Sequence, residues 1–99
     1  VDEPIPLTLC DLGTFHRVLT PRAWEGTVRG YRVRVLDLGK GGLGPMRERY
    51  WVEFYPRFYP LLEEGFWSEA ADSLKGVQRE IRKLVREARH LNFKEAHRG

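Results

Sequence analysis

Within residues 68–92, SEAADSLKGVQREIRKLVREARHLN, the apolar residues Ala70, Leu74, Val77, Ile81, Leu84, Ala88 and Leu91 recur at alternating steps of four and three. That spacing lays one apolar stripe along roughly six turns of α-helix. A helix with a single apolar stripe must bury it, so the rest of the chain has to supply an apolar surface to receive it. The opposite side carries Lys75, Arg79, Arg82, Lys83, Arg86 and Arg89 against Glu80 and Glu87, and is therefore solvated and positive. Ser68 stands where an N-cap is wanted, with Glu69 and Asp72 favourable in the first turn. Gly76 costs about 1 kcal/mol relative to Ala inside a helix, which implies a close approach to a sheet or a bend.

The receiving surface is read from two alternating runs. In residues 31–38 Tyr31, Val33 and Val35 alternate with Arg32 and Arg34, and in residues 49–55 Tyr50, Val52 and Phe54 alternate with Arg49, Trp51, Glu53 and Tyr55. Period-two alternation marks half-buried strands, and the Gly-rich segment 39–45 between them reads as the loop of an antiparallel hairpin. Pro56 and Pro60 are expected to break the second strand, with a shorter third strand between Leu61 and Phe66. The tail after Asn92 reads as a last strand residue at Phe93 or as a frayed end.

Residues 1–30 are less periodic and read as an N-terminal extension. Pro4 and Pro6 favour an extended arm, Leu7 and Leu9 suit a short edge strand before Gly13, and residues 14–19 are compatible with strand or helix. Thr20 and Pro21 read as the cap and first residue of one helical turn through Arg22, Ala23, Trp24 and Glu25, closed by Gly26.

Ninety-nine residues suffice for one domain with one modest core. No apolar run approaches the about 18 residues that span a bilayer, and VDEPIPLTL lacks the basic start and apolar centre of a signal peptide, so a soluble, cytoplasmic chain without membrane contact is expected. One cysteine, Cys10, permits no internal disulfide and agrees with a reducing compartment. A single Asn, Gln, Met and Cys is a scarcity that accompanies thermophily, although a GC-rich genome explains the arginine excess equally well.

The chemistry of most enzyme classes finds no residues in suitable spacing. Gly39, Gly41 and Gly44 spell a G-x-G-x-x-G after a strand, but Pro45 leads into another strand instead of a helix that faces a pyrophosphate. Cys10, His16, His90 and His97 have no metal-ligand spacing, and grouping Cys10, Asp11 and His16 as a nucleophile with its base requires a cleft that nothing in the chain supplies. Glu63 and Glu64 read as a solvated edge. No enzyme, cofactor or metal site is therefore expected.

What remains is a surface. If the helix covers Val33, Val35, Val52 and Phe54, the other face of the hairpin presents Arg32, Arg34, Arg49, Trp51 and Tyr55 together, with Lys40 in the adjoining loop. Guanidinium groups pair with phosphates and rings stack on bases, so this set reads as a nucleic-acid-binding face. The competing possibility is that residues 1–30 cover that face, with Trp51 buried beneath Phe15 or Trp24 and the arginines paired to acids at the rim.

Over residues 31–90 the run YWVEFYPRFYPLLEEGFWSEAADSLKGV resembles the signature region of HicB-type antitoxins through Trp51, Val52, Glu53, Phe54, Pro60, Gly65, Ser68, Glu69 and Ala70. That resemblance implies a reduced RNase H-like unit that neutralises a small RNase toxin and regulates its own operon. The same stretch is similar to the sheet-plus-helix DNA-binding domains of ethylene-response factors and some phage integrases. There Arg32, Arg34 and Trp51 would enter the major groove, Gly65 and Phe66 match the step before the helix, and Glu69, Ala70 and Ala71 match its opening.

The expectation is thus one α+β domain over residues 1–99, with residues 31–92 as its sheet-plus-helix unit. It has an antiparallel sheet of three to four strands and one long C-terminal helix packed on one face. Its expected function is that of a non-enzymatic regulator binding nucleic acid, or alternatively a protein-binding, antitoxin-like or inhibitory module using the same aromatics. A homodimer is left open.

Overall fold

The computed structural model describes residues 6–18, 22–39, 47–58 and 65–96. Among the described residues six strands follow one another, β1 (Pro6–Thr8), β2 (Thr14–Arg17), β3 (Ala23–Val28), β4 (Tyr31–Asp37), β5 (Tyr50–Phe58) and β6 (Trp67–Ala71). A 3-10 turn at Cys10–Leu12 joins the first two, and the helix α1 (Leu74–Ala96) ends the order. Strands adjacent in the chain are adjacent in the sheet, and each pairing is antiparallel, so the sheet is a meander in the order β1-β2-β3-β4-β5-β6.

The α+β class and the C-terminal helix on one sheet face agree with the sequence reading, but the sheet is wider than the three to four strands expected. The additional strands come from residues 6–28. The anticipated helical turn after Pro21 is instead β3, which pairs with β4 along its whole length from Ala23↔Leu36 to Val28↔Tyr31. One isolated turn of helix must nucleate for very few hydrogen bonds, whereas a six-residue ladder gives the backbone of β3 partners throughout. Gly26, read as a helix stop, lies mid-strand because Phe15 needs the space: a Cβ there would stand 2.7 Å from Phe15 Cδ1.

The pairing register assigns the faces. Leu7, Phe15, Trp24, Gly26, Val28, Tyr31, Val33, Val35, Tyr50, Val52, Phe54, Trp67 and Ala71 share the side that α1 covers. Phe15, Val33, Val35, Val52, Phe54, Val77 and Ile81 are completely buried, with the Tyr31 ring tilted against Phe54 at 5.3 Å between centroids. Burying a large aliphatic or aromatic side chain contributes about 1.5–3 kcal/mol, so this one layer between sheet and helix accounts for the bulk of the hydrophobic stabilisation.

Three local expectations are corrected at the C-terminal half. Residues 68–71, expected as the start of the helix, belong to β6, where Ala70 and Ala71 pair with Trp51 and Tyr50. The helix is instead capped by Ser73, whose Oγ accepts from Gly76 N–H at 3.1 Å while its carbonyl accepts from Val77 N–H at 2.9 Å. Both serines are competent caps; the open edge of β5 decides, because pairing Trp67–Ala71 satisfies backbone groups that an earlier helix start would leave without partners. Gly76 marks a close approach, since a Cβ there would lie 3.2 Å from Ala71 Cβ. Phe93 is helical, α1 running on to Ala96.

Pro56 does not end β5. It sits where the register slips between Tyr31↔Phe58 and Val33↔Phe54, an irregularity that tolerates a residue without an N–H. Its carbonyl accepts a 2.8 Å hydrogen bond from Asn92 Nδ2, which also reaches Tyr31 Oη at 3.2 Å and ties the helix to the sheet. The third strand expected between Leu61 and Phe66 falls mostly outside the described residues.

Candidate nucleic-acid interface

On the face away from α1 the side chains stand in rows. Ala23, Leu36, Trp51 and Ala70 form an apolar row across β3 to β6, and Glu25, Arg34, Glu53 and Ser68 form the next. Cross-strand neighbours of opposite charge attract, and here the register places an arginine between two glutamates. Glu25 Oε2 accepts from Arg34 at 3.0 Å and from Arg32 at 2.9 Å, and Arg34 also lies 4.0 Å from Glu53. Arg32 lies over the Tyr55 ring at 4.7 Å, and Trp51 Nε1 donates to Glu53 at 3.2 Å. Burial pushes the Glu25 carboxyl up, but the hydrogen bonds and charges of Arg32 and Arg34 outweigh it and hold it below the ordinary range.

Of the residues expected on a nucleic-acid-binding face, Arg32, Arg34, Trp51 and Tyr55 are brought together there, half-buried, and the two arginines are balanced by two glutamates. Arg49 does not join them. It lies at the sheet end, where Nε and an Nη donate to the two Asp37 oxygens at 2.9 and 3.0 Å and the guanidinium lies 5.2 Å from the Tyr50 ring. Hydrogen bonding from Arg49 holds the Asp37 carboxyl below its usual range. Lys40 lies outside the described residues, as does the glycine loop beyond Gly39. Described parts of residues 1–30 widen the sheet rather than cover it, with Phe15 and Trp24 on the helix side.

The uncompensated charge lies elsewhere. Between α1, the 3-10 turn and the β3–β4 turn is a cleft of about 480 Å³ lined by Asp11, Leu12, Val28, Arg29, Arg82, Val85, Arg86 and Arg89. Four arginines and one aspartate line it, and Asp11 is ion-paired to Arg82. Among the described residues no acid pairs with Arg29, Arg86 or Arg89. The helix positions are an exposed ridge, since Lys75, Arg79, Arg82, Arg86 and Arg89 recur at steps of four and three with Lys83 beside them. From Lys75 to Arg89 the ridge extends about 21 Å.

No protein-family model, curated protein or solved structure matches the chain.

The basic helix side was visible in the sequence, but Arg29 and Asp11 were not recognised as its neighbours. Arg29 and Gly30 both have positive φ, 54° and 87°, the geometry of a tight two-residue hairpin turn. Arg is an unusual first residue for such a turn, and that was the one available signal: a strand-Arg-Gly-strand pattern, legible only once β3 is known to be a strand. Among the described residues no group of three or more His, Cys, Asp and Glu is placed to hold a metal, and no helix is long and apolar enough to cross a membrane.

Proposed function

We infer that this domain is a non-enzymatic nucleic-acid-binding module whose contact surface is the basic ridge of α1 and the adjoining arginine cleft, rather than the Arg/Trp sheet face. The observation that supports it is the contrast in compensation. On the sheet face Arg32 and Arg34 are held by Glu25 and Glu53, so a phosphate there competes with carboxylates already in place, whereas the cleft sets four arginines against Asp11 and the ridge carries six cations with only Glu80 and Glu87 beside them. Phosphate contacts release counterions, so affinity from such a ridge depends steeply on salt, each contact adding about 0.7–0.9 to the slope of log K against log salt.

The test is a fluorescence-anisotropy titration with labelled single-stranded and duplex oligonucleotides across about 50–200 mM salt. Binding that falls steeply with salt, and that weakens several-fold with a shallower slope in Lys83→Ala and Arg86→Ala, is the expected result. Unchanged binding in those two variants, together with its loss in Arg34→Ala or Trp51→Ala, would return the site to the sheet face. A second reading, protein docking on the sheet face, is favoured by one observation. Tyr55, with Arg32 over its ring, packs 5.8 Å from Phe66, which is 47% exposed, giving an aromatic patch suited to a partner protein.

A further inference from the structure

The cleft differs from the ridge in shape as well as charge. The ridge is an open line of cations suited to a string of phosphodiesters, each bearing one charge. In the cleft, Arg29 comes from the β3–β4 turn and Arg82, Arg86 and Arg89 from the helix, so arginines line a shared space from two separate elements. Its volume of about 480 Å³ lies within the range of small-molecule sites, roughly 300–1,000 Å³, and Leu12, Val28 and Val85 give it an apolar side against which a sugar or base can pack. The three guanidinium charges left after the Asp11–Arg82 pair exceed what one phosphodiester neutralises and suit a dianion.

Asp11 supplies the second observation. Its side chain is 75% exposed, stands in the 3-10 turn, and reaches across to Arg82 on a helix 71 residues further along the chain. An exposed carboxylate on an arginine cluster is an internal anion that an incoming one can displace at little desolvation cost. Arg29 is the third. Its φ of 54° suits Asn or Gly better than a long side chain, yet the residue placed there adds a guanidinium to the cleft.

We propose that the arginine cleft is a binding site for a terminal phosphate, the dianionic phosphomonoester of a nucleotide or of a strand end, and that Asp11 is the internal anion it displaces from Arg82. The proposal rests on the nucleic-acid reading for the strand-end source alone; the cleft takes the same group from a free nucleotide.

The experiment compares labelled oligonucleotides of one sequence with a 5′-phosphate and with a 5′-hydroxyl, with inorganic phosphate and a nucleoside monophosphate as unlabelled competitors. The phosphorylated strand is expected to bind about tenfold more tightly. Asp11→Asn, which removes the competing charge, raises that preference several-fold. Arg29→Asn abolishes it while leaving the melting temperature equal or higher, because Asn suits the turn; that combination separates a ligand role from a structural one. Competition by the monophosphate at concentrations that leave 5′-hydroxyl binding intact assigns the site to free nucleotides as well; absence of competition assigns it to strand ends. Equal affinity for the two strands overturns the terminal-phosphate site while leaving the ridge reading in place. Absence of oligonucleotide binding, with monophosphate binding that Arg29→Asn removes, overturns the ridge reading and keeps the site. Binding of none of these overturns both.

Discussion

Replacing Gly26 by Ala tests whether the N-terminal strands are integral to the core. A Cβ at this position would stand 2.7 and 2.8 Å from Phe15 Cδ1 and Cγ and 3.0 Å from the Thr14 carbonyl oxygen. Ordinary carbon–carbon contact is about 3.5–4.0 Å, so ring or backbone has to retreat by close to 1 Å. Phe15 is fully buried, and the ring has no solvent-filled space to enter. Forcing one extra methyl into a packed core costs about 1–3 kcal/mol, partly offset by about 0.4–1 kcal/mol because Ala restricts the unfolded chain more than Gly does. At mid-range the net loss is about 1.3 kcal/mol, which for a domain of this size lowers the melting temperature by about 5–10 °C. Thermal and urea unfolding followed by circular dichroism measures it. The companion is the same change in a Phe15→Ala background, where the obstruction is gone and Gly26→Ala becomes neutral or stabilising; the difference between backgrounds is the coupling of the two residues. If Gly26→Ala alone is as stable as the parent, Phe15 does not lie over β3, and the first three strands are not packed as described.

Two further outcomes follow from the same geometry. Ser73→Ala removes the cap of α1 and is expected to cost about 1 kcal/mol in urea unfolding, whereas Ser68→Ala, exposed on β6, changes little; the reverse order would place the helix start at Ser68. Glu25 and Asp37 are both depressed in the folded state, so their stabilisation is complete above the unfolded values of about 4.3 and 3.9 and is lost as pH falls through the lower folded values. Melting temperatures between pH 7 and pH 3 are therefore expected to fall in the parent and to fall less in Glu25→Gln, which starts lower at pH 7; identical slopes for the two proteins would mean that the Glu25 pairs contribute nothing.

The helix and the strands β4 and β5 were legible because their signals are local. Leu74, Val77, Ile81, Leu84 and Ala88 repeat with the helical period, and Val33, Val35, Val52 and Phe54 with the strand period, so any compact arrangement of this chain has to turn those sides inward. The cation-rich side of the helix was equally plain, since nothing apolar interrupts it.

Tertiary structure decided what depends on pairing between distant segments. Thr20, Pro21 and Gly26 read as the start and stop of a helical turn, yet β4 offers residues 23–28 a full ladder and Phe15 needs the glycine. Ser68 and Ser73 are equivalent caps by composition, and the open edge of β5 selects the second. The same holds for charge. Counting arginines in the chain cannot distinguish Arg34, which the register seats between Glu25 and Glu53, from Arg29, Arg86 and Arg89, which folding gathers beside a single aspartate. Periodicity is a property of neighbouring residues, whereas the partner of a charge depends on which strands lie side by side, and that emerges only when the sheet forms.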